Sequence, residues 1–154
     1  MAKKVLVLAD LRDQKLRQVT LECLAVARQI AGDDVVFAAV LGSKAGELVD
    51  PLAHHGADIV VKAEDSQFDQ YTSDAYFQAY RQIVDQTKPD VILTGHTSVG
   101  RDVSPRLAAR LGIGLISDCT KVEIDGDQIL FTRPIYAGKA FAKKQVRDGM
   151  IFAT

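Results

Sequence analysis

The sequence predicts a three-layer α/β fold, a parallel sheet with helices on both faces, extended at its carboxyl end by an antiparallel β-meander. Three observations carry that expectation. Val5 to Ala9, Val35 to Leu41 and Val91 to Leu93 are short unbroken apolar runs, the form a strand takes when both faces of its sheet are covered. Amphipathic helical stretches separate these runs, and strands alternating with helices give a parallel sheet joined by crossovers. After Gly112 the pattern changes to short alternating segments punctuated by Asp-Gly pairs, which mark hairpins.

Taken in order, the opening strand Val5 to Ala9 leads into a polar loop, Asp10 to Gln18. Thr20 is expected to cap a helix over Leu21 to Ala31, because its hydroxyl can accept from the first free backbone N–H groups, and Gly32 stops that helix. Leu24, Ala27, Ile30 and Ala31 supply its apolar face; Glu22, Arg28 and Gln29 mark the wet one. The second strand closes at Gly42, a short helix around Ala45 to Leu52 is interrupted by Pro51, and Ala57 to Val61 is a third strand. Ser73 is the expected cap of a long helix, Asp74 to Gln86, with Tyr76, Tyr80, Ile83 and Val84 on one side and Asp74 where the helix dipole favours negative charge. Lys88-Pro89-Asp90 breaks the pattern before the strand Val91 to Leu93. Beyond Gly112, Thr120 to Ile124 and Gln128 to Thr132 form a hairpin about Asp125-Gly126. Pro134 belongs to an edge or a strand end, Gly138 turns the chain into Ala140 to Val146, and Asp148-Gly149 turns it into Met150 to Ala153.

The 154 residues suffice for a single domain with a real core. A composition of 47% hydrophobic and 25% charged residues is that of an ordinary globular protein, and a net charge of -1 gives no electrostatic case for nucleic acid or anionic lipid. Cys23 and Cys119 are far apart and lack a nearby second ligand, which is neither a zinc spacing nor a disulfide framework, so a reducing cytoplasm is expected. The start MAKK runs straight into VLVLAD, without the apolar run and cleavage site of a signal peptide, and no apolar stretch approaches the roughly 20 residues that span a bilayer. The chain stops at Thr154, at or just past a strand, and is therefore expected to be cut from a longer protein.

The stretch Val91 to Gly112, VILTGHTSVGRDVSPRLAARLG, organises the rest. A strand feeding a polar loop bracketed by Gly95 and Gly100, then a helix beginning at Pro105, is where open α/β sheets seat ligands. Gly95 and Gly100 stand at the separation found in a phosphate loop, but Arg101 and Asp102 occupy the positions that need lysine and a hydroxyl. No GxGxxG follows the first strand, so the dinucleotide fingerprint is missing as well. Two readings of the loop remain. In one, Gly95, Ser98, Gly100 and Arg101 hold an anion; in the other, which motif matches this loose favour, the turn is structural, Arg101 pairs with Asp102 or a neighbour, and Ser104 caps the helix. His54, His55 and His96 have no carboxylate at ligand spacing, so no metal site is expected, and His96-Thr97-Ser98 lacks an orienting acid, so no catalytic residue is assigned. Tyr76, Phe77 and Tyr80 read as core packing, while Arg106 and Arg110 read as solvent-facing, open to an acidic partner.

With these residues laid out, the chain resembles the amino-terminal half of the electron transfer flavoprotein alpha subunit over essentially its whole length. The resemblance rests on the VLVLAD strand, the VTLECLAVARQI helix, the stretch Pro89 to Gly112 with Thr97-Ser98 and Gly100-Arg101-Asp102, and Thr132 to Ala140, TRPIYAGKA. Lys139 departs from that family's frequent asparagine. The resemblance implies a Rossmann-like, adenine nucleotide alpha hydrolase-like architecture and a single domain over residues 1–154. It implies pairing with a beta subunit, contact with flavin dehydrogenases through the complete heterodimer, and a redox FAD held mainly by a carboxyl-terminal domain absent from this chain. It further implies that AMP, or a second flavin in bifurcating versions, belongs to the beta subunit's analogous loop. The expected role is thus a non-catalytic scaffold and subunit-contact domain of an electron carrier, with no membrane insertion; the alternative is a stand-alone AMP- or ATP-binding module.

Overall fold

A computed structural model describes residues 3–146 and 149–154. Among the described residues, eleven strands and four α-helices follow in order: β1 Val5–Leu8, β2 Leu11–Arg12, β3 Lys15–Leu16, α1 Gln18–Ala31, β4 Val36–Leu41, α2 Val49–His54, β5 Ile59–Ala63, α3 Ser73–Thr87, β6 Val91–Thr94, α4 Ser98–Leu111, β7 Leu115–Ile116, β8 Lys121–Asp125, β9 Gln128–Ile135, β10 Ala140–Lys144 and β11 Ile151–Ala153. A sheet of six strands in the order β5-β4-β1-β6-β11-β7 is parallel at every pairing. Strands β8, β9 and β10 make a separate antiparallel sheet of three. The expected α/β class with its antiparallel extension is what the chain forms.

The unbroken apolar runs follow from burial on both faces. Within β1, Val5 and Val7 enter one core with Leu24, Ala27 and Ile30 of α1, whereas Leu6 and Leu8 enter the other with Tyr80 and Ile83 of α3 and Leu107 of α4. The antiparallel sheet lays Ile129 and Phe131 onto the α1 side. Its middle strand keeps Pro134 past the last pairing with β8, Lys121 with Thr132, so that strand end needs no N–H on that side.

Several local expectations are corrected. α1 begins at Gln18, so Thr20 lies inside it, buried; its hydroxyl receives the Asp10 N–H at 2.8 Å and donates to the Asp10 carbonyl at 3.2 Å. The polar loop Asp10 to Gln18 contains the two-stranded hairpin β2–β3, turned by Asp13 and Gln14 at positive φ. Thr72, not Ser73, precedes α3, and Ser73 instead accepts from Arg106 at 3.3 Å. Near Pro51 the break falls earlier, where a 3₁₀ turn over Ala45–Leu48 passes into α2, and Pro51 sits in the first turn of α2, where a missing N–H is tolerated. The β8–β9 hairpin closes one residue later than expected, about Gly126-Asp127, because Asp125 pairs with Gln128.

Two larger differences concern the end of the chain. Leu115–Ile116 is an edge strand too short to stand out in the sequence. Ile151–Ala153 is not a fourth meander strand; it returns to the main sheet and lies parallel between β6 and β7. Gly149 of the expected Asp148-Gly149 turn has φ 82°, while Asp148 lies outside the described residues.

Candidate functional site: the crevice between β1 and β6

The chain passes from β1 to one side of the sheet and later from β6 to the other, so the carboxyl ends of these neighbours flank the topological switch point. The stretch expected to supply a phosphate loop lies here, but its helix starts about two turns earlier than Pro105 would place it. α4 begins at Ser98, and Thr97 caps it by accepting the Gly100 N–H at 3.2 Å. Pro105 lies within the helix on its exposed side; it removes the N–H that would bond the Arg101 carbonyl, which solvent can satisfy there.

The proposed anion ligands are thereby distributed along a helix start. Gly95 follows directly on β6, Ser98 and Arg101 lie on the exposed side of the first turn of α4, and Gly100 is buried beneath it. Packing accounts for both glycines. A Cβ on Gly95 would come within 2.5 Å of Val19 Cγ1 in α1, and one on Gly100 within 2.0 Å of the Gly95 carbonyl oxygen. The close passage of helix over strand end therefore requires the pair with no ligand present.

Carboxylates already occupy the neighbourhood of this helix start. Thr97 donates its hydroxyl to Asp10 Oδ2, and Asp10 is buried. Asp102, expected to pair with Arg101, instead accepts from the Tyr71 hydroxyl at 2.5 Å. Burial first, and that carboxylate second, push the Tyr71 phenol up to about 12. Ser104 is buried in the middle of α4 and caps nothing. Leu11, Asp13 and Gln14 of the hairpin close the crevice from one side and Phe68, Tyr71 and Tyr76 from the other, leaving about 90 Å³. Cofactor and ligand pockets run from about 300 to 1,000 Å³. Neither the volume nor the two resident carboxylates suit a flavin dinucleotide or a nucleotide phosphate, so the residues present do not fit FAD here.

The remaining singled-out side chains have structural partners. His96 turns Nδ1 to Thr154 Oγ1 at 3.0 Å, and His54 and His55 turn theirs to the carbonyls of Asp50 and Pro51. Among the described residues no group of three His, Cys, Asp or Glu side chains could hold a metal ion, and no helix is long and apolar enough to cross a membrane. Phe77 and Tyr80 are buried as core, while Tyr76 is half-buried and donates to the Phe68 carbonyl at 2.6 Å. Arg106 meets an acid of its own chain, Asp74 at 2.5 Å, and lies over the Phe77 ring at 4.3 Å.

A wider cleft of about 470 Å³ opens between α1 and the antiparallel sheet, with Cys23, Val26, Cys119 and Phe131 in its wall. Burial pushes the Cys23 thiol up to about 12 and the Cys119 thiol to about 11, so both are poor nucleophiles at neutral pH. Sequence reasoning missed the hairpin plug and the Asp10–Thr97 and Tyr71–Asp102 contacts. The latter join residues 87 and 31 positions apart and leave no local signal.

A sequence model of the electron transfer flavoprotein domain matches residues 5–154. The electron transfer flavoprotein subunit alpha of Bacillus subtilis is 47% identical over 154 residues, all of this chain and 47% of that protein. The subunit of the same name from Syntrophomonas wolfei subsp. wolfei is 38% identical over 148 residues, 96% of this chain and 46% of its own length. Subunit LctC of the lactate dehydrogenase (NAD(+),ferredoxin) of Acetobacterium woodii is 30% identical over 142 residues, 90% of this chain and 34% of that protein. The chain spans about half the length of the first two relatives.

Proposed function

Since the chain belongs to the electron transfer flavoprotein domain family, we propose that it is the scaffold and subunit-contact part of an alpha subunit, corresponding to the amino-terminal half of a longer polypeptide. The complete protein is a cytoplasmic electron carrier, not an enzyme in its own right. It pairs with a beta subunit, takes electrons from flavin dehydrogenases and passes them to an acceptor through an FAD bound mainly by the carboxyl-terminal domain.

The observation that carries this reading is the closed crevice. Where an α/β sheet of this order seats a nucleotide, the chain's own Asp10, Thr97, Tyr71 and Asp102 meet one another and leave about 90 Å³. A domain whose nucleotide position is filled by its own side chains has its surfaces, not its crevice, to offer. Gly95, Ser98, Gly100 and Arg101 then serve the turn from β6 into α4 rather than an anion.

The test is to purify residues 1–154, record the visible spectrum, and titrate with AMP, ADP and ATP in a calorimeter. The expected result is a colourless protein that takes up no nucleotide at millimolar concentration. Stoichiometric flavin bound by this chain alone, or saturable nucleotide binding abolished by Ser98→Ala and Arg101→Ala, would overturn the reading in favour of a stand-alone nucleotide-binding module.

A further inference from the structure

The crevice between β1 and β6 is small, but its wall carries oxygen atoms whose hydrogens are given away elsewhere. Tyr71 donates to Asp102, Tyr76 to the Phe68 carbonyl at 2.6 Å and Thr94 to the Leu8 carbonyl at 3.1 Å. All three side chains line the crevice, and each hydroxyl oxygen keeps lone pairs. Gln14, at the turn of the β2–β3 hairpin, lines it too, and its Oε1 is buried without a hydrogen-bond partner.

Two nearly inaccessible side chains complete the wall. Asp10 is 6% exposed; its Oδ2 accepts from Thr97, while its other oxygen has no hydrogen bond and no lysine or arginine pairs with it among the described residues. Tyr80 is 2% exposed, and its hydroxyl makes no hydrogen bond to the described residues. Burial first, then Tyr76 and the Asp10 carboxyl, raise the Tyr80 phenol, so it stays protonated and neutral. A buried polar group without a partner is costly, and native chains leave few of them. Asp10, Gln14 and Tyr80 leave three such groups around one space.

The space limits what can fill it. About 90 Å³ is room for about three water-sized bodies. The wall offers carboxyl, amide and hydroxyl oxygens, and among its hydroxyls only Tyr80 keeps an uncommitted hydrogen. The start of α4, whose dipole opposes a cation, is covered at this point by Thr97 and Asp10. Asp69, also in the wall, commits both oxygens to Ser43, and no group of three His, Cys, Asp or Glu side chains among the described residues could hold a metal ion. Calcium takes several carboxylates and zinc takes nitrogen or sulfur. Neutral oxygens about a single uncommitted carboxyl suit an ion of lower charge.

We propose that the crevice is a binding site for one monovalent alkali cation, potassium or sodium, held by Asp10, Gln14 and Tyr80. The ion ties the hairpin and α3 to the end of β1.

The experiment uses the full-length polypeptide, dialysed into tetramethylammonium nitrate, whose cation is too bulky for the space. NMR of the thallous ion supplies a monovalent probe, and thermal unfolding compares potassium, sodium and tetramethylammonium nitrates at one ionic strength. The expected result is a saturable thallous signal that potassium or sodium displaces, with a thermal midpoint about 2 °C or more higher in the displacing salt. Tyr80→Phe removes only the hydroxyl and keeps the ring in the core. It weakens thallous binding by about tenfold or more, while its midpoint in tetramethylammonium nitrate does not fall. Asp10→Asn abolishes the thallous signal, and Gln82→Ala, on the exposed side of α3, leaves it unchanged. A wild type with no saturable thallous signal and equal midpoints in the three salts holds water alone, which overturns the proposal. Binding that survives both Tyr80→Phe and Asp10→Asn overturns the place of the site. Neither result bears on the scaffold reading, whose test is the uptake of flavin and nucleotide.

Discussion

Gly100→Ala separates the two explanations of the glycine pair at Gly95 and Gly100. If Gly100 exists to let a phosphate approach, then alanine should stabilise the ligand-free chain, since in a helix alanine is favoured over glycine by about 1 kcal/mol. The structure argues the opposite sign. The new Cβ would stand 2.0 Å from the Gly95 carbonyl oxygen and 3.2 Å from its carbon, roughly 1.5 Å inside an optimal contact of about 3.5 Å. The obstacle is backbone, not a side chain that can rotate away. Thr94, its neighbour, is pinned in β6 opposite Leu8 of β1 and donates its hydroxyl to the Leu8 carbonyl at 3.1 Å.

Relief therefore requires the start of α4 to move. Movement on that scale stretches the Gly100 N–H to Thr97 bond, already 3.2 Å, and disturbs the Thr97–Asp10 contact. Overpacking of this kind destabilises by about 1–3 kcal/mol, loss of the cap adds about 1 kcal/mol, and the helix preference of alanine returns about the same amount. A net loss of about 1–3 kcal/mol follows. At this chain length it lowers the thermal midpoint by roughly 2–4 °C per kcal/mol. Urea titration followed by circular dichroism, with calorimetry for the midpoint, reads both quantities. An unchanged or raised midpoint would refute the packing account and return Gly100 to a ligand.

Four further outcomes can be checked in the same way. Thr97→Ala removes the cap of α4 and a partner of Asp10, with an expected loss of about 1–2 kcal/mol in urea unfolding; Thr97→Ser, which keeps the hydroxyl, recovers most of it. Arg28 donates to the carbonyls of Gly32, Asp34 and Gly56 and pairs with Asp58 at 2.7 Å, yet the pair is partly exposed, so Arg28→Ala should lower stability by only about 1 kcal/mol. The Val36 N–H, and after it Arg28, hold the Asp58 carboxyl below its usual 3.8, so that stabilisation is present above 3.8 and fades as pH falls below it; in Asp58→Asn the acid limb of the stability curve should flatten. At the alkaline end, burial raises Cys23 from 9.0 to about 12, so its contribution is complete below pH 9 and disappears as pH climbs toward 12. Cys23→Ala should shallow that decline, and a native-state thiol reaction as fast as that of a free cysteine would contradict it.

What the sequence revealed and what it hid divide along contact range. The runs in β1, β4 and β6, the stop at Gly32 and the glycine end of α4 are local and were legible, because burial on both faces and the left-handed cap at Gly112, with φ 70°, each impose their own residue pattern. Pro105 is ambiguous because proline usually opens a helix, while the Thr97-Ser98 start, a sound capping signal, lies within a polar glycine-bounded stretch that has the composition of a loop. Ile151–Ala153 looked like one more meander strand because an apolar triplet carries no mark of its neighbours. Its place between β6 and β7 depends on pairings with Val91 and Leu115, 60 and 37 positions away from Ile151 and Phe152. The closure of the crevice was hidden for the same reason.

That closure also shows how the helix start of a ligand-seating architecture is satisfied by groups of its own chain. A helix start leaves free N–H groups and a positive dipole end, which in nucleotide-binding relatives of the architecture an anion satisfies. Here Thr97 accepts one of those N–H groups and Asp10 brings its carboxyl group to the same place. Asp102, one turn along, is occupied by Tyr71 and so keeps that ring over the opening. A phosphate entering there would meet two carboxylates beside the remaining donors, and no removal of a single side chain reverses this: Asp10→Ala leaves the helix capped by Thr97, and Tyr71→Ala leaves the hairpin and both acids. If the crevice is a structural joint, nucleotide binding there requires the hairpin Leu11–Leu16 shortened and Asp10 and Asp102 neutralised together. A single substitution that restored it would show that the crevice is merely covered rather than rebuilt as a structural joint.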